Sequence, residues 1–197
     1  MICSRLTNRY WGQGVVYSTV DKIIEVAESQ VRAGGYNAFS FREIAKQVGI
    51  KSASIHYHFA TKADLGVALA HRYTARFEQQ LDRLAENSAQ PSDRLEGYIA
   101  LFVEALTVDK KMCLCGILAA ESDVLPEALQ RAVKVFFEVN VAWLQDALFA
   151  DQPQARAQAQ AFLILASLEG ALLMSKTMQT HAPLQQVSKL LQQDCWQ

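Results

Sequence analysis

The stretch Phe41–Phe59 constrains this chain more than any other. Phe41, Ile44, Ala45 and Val48 recur at i, i+3, i+4 and i+7, the period of one helical face. Ser40 precedes that face and Glu43 follows three residues on, the pattern of a capping box. Gly49 then stops the helix, because a residue without Cβ enters the left-handed region at little cost. Ser52 is placed to cap a second helix. At about 100° per residue, Ile55, His58 and Phe59 gather on the side that packs against the first helix. Ala53 and Tyr57 project the opposite way, flanked by Ser54 and His56. Two short helices with a tight turn, and an outward face free of large aliphatics, suit insertion into a DNA major groove. An ordinary helical hairpin with a solvated face has the same spacing, so periodicity alone does not separate the two.

The run Gly49-Ile-Lys-Ser-Ala-Ser-Ile-His-Tyr-His-Phe-Ala-Thr-Lys62 resembles the recognition-helix signature of the TetR/AcrR family of transcriptional regulators. Upstream, Ala33-Gly-Gly-Tyr-Asn-Ala-Phe-Ser-Phe-Arg-Glu-Ile-Ala45 resembles that family's link between its first two helices. The likeness is strong from about Val20 to Leu69 and architectural beyond. It implies an all-α fold: a three-helix, helix-turn-helix head followed by a C-terminal helical domain for ligand binding and dimerisation. It also implies a double-stranded DNA operator, a small-molecule effector and no cofactor. With the helical geometry above, the expected DNA contacts are Ser40, Arg42, Lys51, Ser52, Ala53, Ser54, His56, Tyr57 and Lys62. His56 stands where the family has Tyr; imidazole can also hold a phosphate, but with a contribution that depends on pH.

Charge supports this reading once the chain is divided. The net charge is only −1, yet residues 1–75 hold nine Lys/Arg against five Asp/Glu, and the remainder ten against fifteen. Positive charge therefore sits with the helix-turn-helix, as phosphate neutralisation requires. Hydrophobic residues make up 51% and charged residues 20%, the balance of a globular protein. No apolar run in the sequence reads as a membrane span and no signal peptide is evident, so a cytoplasmic protein with reduced thiols is expected.

Three domains follow in order. Residues 1–17, with Arg5, Arg9, Tyr10 and Trp11, read as an N-terminal lead-in, the other reading being an arm onto DNA. Residues 18–64 form the head: Ser18 with Asp21 opens a first helix striped by Val20, Ile23, Ile24, Ala27 and Val31, and Gly34-Gly35 end it. Residues 65–197 form the effector-binding and dimerisation domain. Thr61 and Asp64 cap a long helix carrying Leu65, Leu69, Tyr73, Phe77, Leu81 and Leu84, which links head to body. Beyond a break at residues 87–92, a further stripe holds Leu95, Tyr98, Ile99, Phe102, Val103 and Leu106. A short helix is expected within residues 110–122, and a longer one from Asp123 and Pro126 with Leu129, Ala132, Val133, Phe136, Trp143, Leu144 and Ala147. The last long helix, about Ala155–Met178, is apolar almost all round between Ala161 and Met174, so it must be covered on several sides. A second copy is the expected cover, with Ala166, Gly170 and Ala171 allowing close packing. The last two long helices thus predict a four-helix homodimer seam. A short amphipathic tail follows, with Leu184, Val187, Leu190 and Leu191.

Candidate effector contacts are Phe77, Tyr98, Phe102, Leu106, Cys113, Cys115, Phe136, Asn140, Trp143 and Glu169. Most would be core in any case. Asn140 and Glu169 differ, because polar groups within apolar helices need partners. Buried cysteine usually behaves as a small hydrophobe; the competing reading is that Lys110 and Lys111, which precede the two cysteines, lower a thiol pKa and raise its reactivity. The run from Cys113 to Glu121 weakly resembles a TetR-type subgroup that senses electrophiles, so the effector is expected to be small and either apolar or electrophilic. His56 and His58, two residues apart, point in different directions on a helix and make a poor metal pair. Two other classes compete: a thiol-based redox enzyme, for which no C-x-x-C motif is present, and a helical adaptor without DNA binding.

Overall fold

Ser18 begins the fold as a full capping box. Its Oγ accepts the Asp21 N–H at 3.1 Å, and Asp21 Oδ2 accepts the Ser18 N–H at 3.1 Å. The computed structural model describes residues 18–194, so the expected lead-in at residues 1–17 lies outside the described residues. Helix α1 (Thr19–Gly34) buries Ile23, Ile24, Ala27 and Val31. It ends at Gly35, whose φ of 79° and ψ of −173° suit glycine alone. A single 3-10 turn (Tyr36–Ala38) then leads into α2 (Phe41–Val48) and α3 (Ser52–His58).

Two expected caps in this region are incomplete. Ser40 Oγ accepts the Glu43 N–H at 3.3 Å, but Glu43 does not return the bond, so only half of that capping box forms. Lys51, not Ser52, occupies the cap position of α3, and no side chain bonds there; Ser52 is the first helical residue. Gly49 does end α2 in the left-handed region, at φ 78° and ψ 32°.

Helix α4 (Lys62–Asn87) starts from a complete Thr61–Asp64 capping box. It buries Leu65, Leu69, Tyr73 and Leu81, while Phe77 and Leu84 are partly buried. The rest of the body is α5 (Pro91–Thr107), α6 (Leu114–Ala120), α7 (Glu127–Leu148), α8 (Gln154–Thr177) and α9 (Ala182–Asp194). Pro126 lies just before α7 rather than inside it. Helix α4 packs chiefly on α7, and α8 lies between α7 and α9. One continuous apolar core runs from Ile23 in α1 to Leu191 in α9.

Helix α8 is the exception to one-sided burial. Ala161, Ile164, Leu165, Leu168, Ala171 and Leu172 face inward. Phe162, Leu163, Leu173 and Met174 stay 53–61% exposed on the other side, in line with exposed Ala166 and Gly170. Ala171, expected at the seam, is instead part of the core. By length and composition α8, with mean hydropathy 1.4, would pass as a membrane span, which the sequence reading did not anticipate. In the tail Leu184 and Leu191 pack inward, but Leu190 is 55% exposed.

Candidate nucleic-acid interface and effector site

Helix α3 is held by few residues, and those few aim its outward face. Ile55 is fully buried and Phe59 nearly so, which fixes the roll of the helix against α2. Tyr57 is then thrown out to 86% exposure, beside exposed Ala53 and half-buried Ser54. His58 was expected to pack inward but is exposed, with its ring edge-on to Tyr57 at 5.1 Å. His56 is also exposed and lies against Phe41 at 4.7 Å. Ser40, Arg42, Lys51 and Ser52 share this exposure. Lys62 differs from the rest: its ammonium lies 4.6 Å from the rings of both Tyr36 and Phe39. Burial pushes its pKa down and nearby Glu121 partly restores it. Lys62, the first residue of α4, thus serves the packing of the head.

The body contains a polar cluster inside an aromatic core. Phe77 contacts Tyr98, Phe102 and Phe136 with centroids 5.2–6.4 Å apart, mostly edge-on, the favoured arrangement for such rings. The Tyr98 hydroxyl donates to Asn140 Oδ1 at 2.7 Å, and Asn140 Nδ2 donates to the Phe136 carbonyl at 2.7 Å. Asn140 therefore has a partner for both its oxygen and its nitrogen within the subunit. Leu106 and Phe102 are likewise buried core. Among the described residues, Trp143 Nε1 and Glu169 Oε1 are sealed from solvent without a partner, as are Oε1 of Gln30, Gln152 and Gln160.

Cys113 and Cys115 meet the opposite electrostatics from those that lysine activation requires. Both are buried free thiols. Cys113 stands at the cap position of α6, where its sulfur accepts the Gly116 N–H at 3.4 Å. Lys111 turns away to Ser29 Oγ at 2.9 Å, and Lys110 is exposed. Burial first, and the Glu169 carboxyl second, push both thiols well up from their ordinary values. Glu169 itself is raised to about 7 by burial, against a hydrogen bond from Cys113 that lowers it. Protonated thiols are weak nucleophiles, so burial here favours packing over lysine activation.

A junction that sequence reading missed joins body to head. Glu121, just beyond α6, accepts the Tyr36 N–H at 2.7 Å. The Gly35 backbone approaches so closely that a Cβ there would lie 2.0 Å from Glu121 Oε1. On the other side of α6, Arg32 Nε donates to the Met112 carbonyl at 2.6 Å, and its Nη1 reaches Asp109 Oδ2 at 3.1 Å. Arg76 pairs with Glu28 at 2.7 Å. One signal was readable: Glu28 and Arg32 fall on the buried stripe of α1, where unpaired charges would be costly. Nothing local marks Glu121.

Comparison with known proteins agrees with this architecture. The family described as "Bacterial regulatory proteins, tetR family" matches residues 23–69. "Transcriptional regulator LmrA/YxaF-like, C-terminal domain" matches residues 91–190, about half of the chain. A TetR transcriptional regulator structure from Legionella pneumophila is 32% identical, covering 91% of this chain and 98% of that one with a TM-score of 0.87. The HTH-type transcriptional regulator LmrA of Bacillus subtilis is 23% identical over 87% of this chain and 93% of its own. The transcriptional regulator AcuR of Cereibacter sphaeroides is 29% identical over 54% of this chain, which spans about half (53%) of that protein. A helix-turn-helix head with an outward aromatic, joined through one long helix to a body of matching fold, leads to one conclusion: the chain belongs to the TetR family of DNA-binding transcriptional regulators.

Proposed function

We propose that this protein is a cytoplasmic homodimeric repressor that sets one α3 into each of two successive major-groove half-sites and leaves DNA when its body binds a small effector. The observation that carries the DNA reading is Tyr57. An aromatic ring held 86% exposed gains nothing from burial, whereas at the centre of a polar, small-residue face it can contact base edges. The boundaries 18–64 for the head and 65–197 for the body belong to the same reading. So do contacts from Ser40, Arg42, Lys51, Ser52, Ala53, Ser54, His56 and Lys62. The exposed α8 stripe favours dimerisation, with α8 as the main seam helix and α7 beside it. The orphaned polar atoms of Trp143 and Glu169, both on body helices, favour an effector site in the body. Protonated, buried cysteines favour an effector held by packing and hydrogen bonds over one that alkylates Cys113.

Fluorescence anisotropy with the DNA upstream of the protein's own gene, against random duplex across a salt series, tests the reading. Tyr57→Ala is expected to lower the specific-to-random affinity ratio by roughly tenfold or more, equivalent to about 1–3 kcal/mol. Lys51→Ala should weaken both duplexes and reduce the salt slope by about one. An unchanged ratio for Tyr57→Ala would remove α3 as the reading element.

A further inference from the structure

The turn that follows α6 is braced by hydrogen bonds along its length. The Glu121 N–H donates to the Leu118 carbonyl at 3.0 Å, and the Glu121 carbonyl accepts the Val124 N–H at 3.0 Å. From α7, Gln130 Nε2 donates to the carbonyls of Ser122 and Leu125, each at 2.9 Å. A side chain carried on such a turn has a fixed origin, and Glu121 spends its reach on the head. Its Oε2 accepts the Tyr36 N–H at 2.7 Å, over a Gly35 that leaves no side chain in the way. Tyr36 is itself a junction. Its ring meets Phe39 edge-on at 5.5 Å and lies 3.4 Å from where a Cβ on Gly66 of α4 would stand. Both rings are buried, and the Lys62 ammonium lies 4.6 Å from each centroid. Lys62 makes no ion pair among the described residues, so its charge is left for a phosphate. A chain of contacts thus runs from a body turn, through one backbone N–H and two rings, to the cation that opens α4.

We infer that Glu121 is a positioning residue for DNA binding that acts through Lys62. The carboxylate fixes the turn that carries Tyr36 and Phe39, and their rings hold the ammonium in place for a phosphate. This rests on the reading of Lys62 as a phosphate contact and adds the body residue that aims it. A lysine stem is flexible, so holding it before DNA arrives reduces the freedom lost on binding. The rings attract the cation, and a backbone N–H bonds a carboxylate more strongly than a neutral acceptor. Charge alone would act the other way, because a carboxylate near the duplex repels phosphate. The two roles therefore differ in sign: lost charge tightens binding, lost positioning weakens it.

A double-mutant cycle on the full chain, read by anisotropy on the DNA upstream of its own gene across a salt series, tests this. Lys62→Ala is expected to weaken binding and lower the salt slope by about one. Glu121→Ala, its fold checked by circular dichroism, should weaken binding roughly fivefold and lower the slope as well. In the Lys62→Ala background the same change should cost nothing, or tighten binding slightly as a negative charge leaves. Glu121→Gln keeps an acceptor for the Tyr36 N–H and should bind at least as tightly as the parent. Glu121→Asp, whose carboxylate falls a methylene short, replaces Glu121→Ala if that variant does not fold, and should lose affinity only while Lys62 is present. Unchanged or tighter binding by Glu121→Ala, equal losses in both backgrounds, or Glu121→Gln as weak as Glu121→Ala would overturn the assignment and leave Lys62 as a phosphate contact. Unchanged affinity and slope for Lys62→Ala would remove the contact and the inference together.

Discussion

Gly35 and Gly49 both adopt positive φ, 79° and 78°, but their surroundings differ. Around Gly49 a Cβ would meet nothing within 4 Å, so Gly49→Ala is expected to cost only the strain of the left-handed region, about 1–2 kcal/mol. At Gly35 the same change would drive a Cβ into Glu121, 2.0 Å away, in a conformation only glycine tolerates. Gly35→Ala should therefore lose more stability than Gly49→Ala in urea unfolding, and equal losses would show that Glu121 can move aside freely. Glu169 supplies a second residue-scale expectation. Its folded pKa of about 7 lies above its ordinary value of 4.5, so the folded chain binds more protons than the unfolded one between those values. Its contribution to stability is complete below about pH 4.5 and is lost as pH rises through 7. The full loss is on the order of 3 kcal/mol. Urea midpoints measured across that window should fall with pH for the parent and hold steadier for Glu169→Gln.

Helices were legible from caps and stripes because those signals lie within four residues of one another. Ser18–Asp21, Thr61–Asp64, Gly49 and the stripes of α1, α4 and α5 all belong to that kind. His58 and Leu190 fell on the wrong side because a short helix, or one at the chain's edge, packs on only a few residues. Lys110 and Lys111 misled for a different reason: adjacency in sequence says nothing of where a flexible ammonium turns. The contact between Glu121 and Tyr36 spans 85 residues and leaves no local trace. It joins the end of α6 to the turn after α1, two elements whose relation only folding sets. Glu121→Ala should leave the Tyr36 N–H unpaired, lowering stability by about 1–3 kcal/mol. Amide exchange at Tyr36 should quicken as well, and an unchanged Tyr36 exchange rate would show that the bond is not formed in solution.

At the scale of the molecule, surplus positive charge lies in residues 1–75, apart from the more acidic remainder. Leu163, Ala166, Gly170 and Leu173 on α8 follow one another at intervals of three and four residues, the spacing of a helix–helix seam. Replacing exposed Leu173 by Arg should give a folded monomer by sedimentation velocity, with operator affinity lost far more than affinity for random duplex. A dimer of undiminished affinity would move the seam elsewhere. Helix α4 has 26 residues and is continuous from the DNA-facing head into the body. It is therefore a rod of about 39 Å, comparable with the ~34–36 Å that separates successive half-sites. Tilting such a rod by about 5° shifts its tip by roughly 3 Å, close to the ~3.4 Å step between neighbouring bases. In the proposed dimer, a gauge that long would make the fit to two grooves intolerant of small angular errors. The body of such a dimer would then forbid the fit with a displacement no larger than the one a side chain makes in changing rotamer.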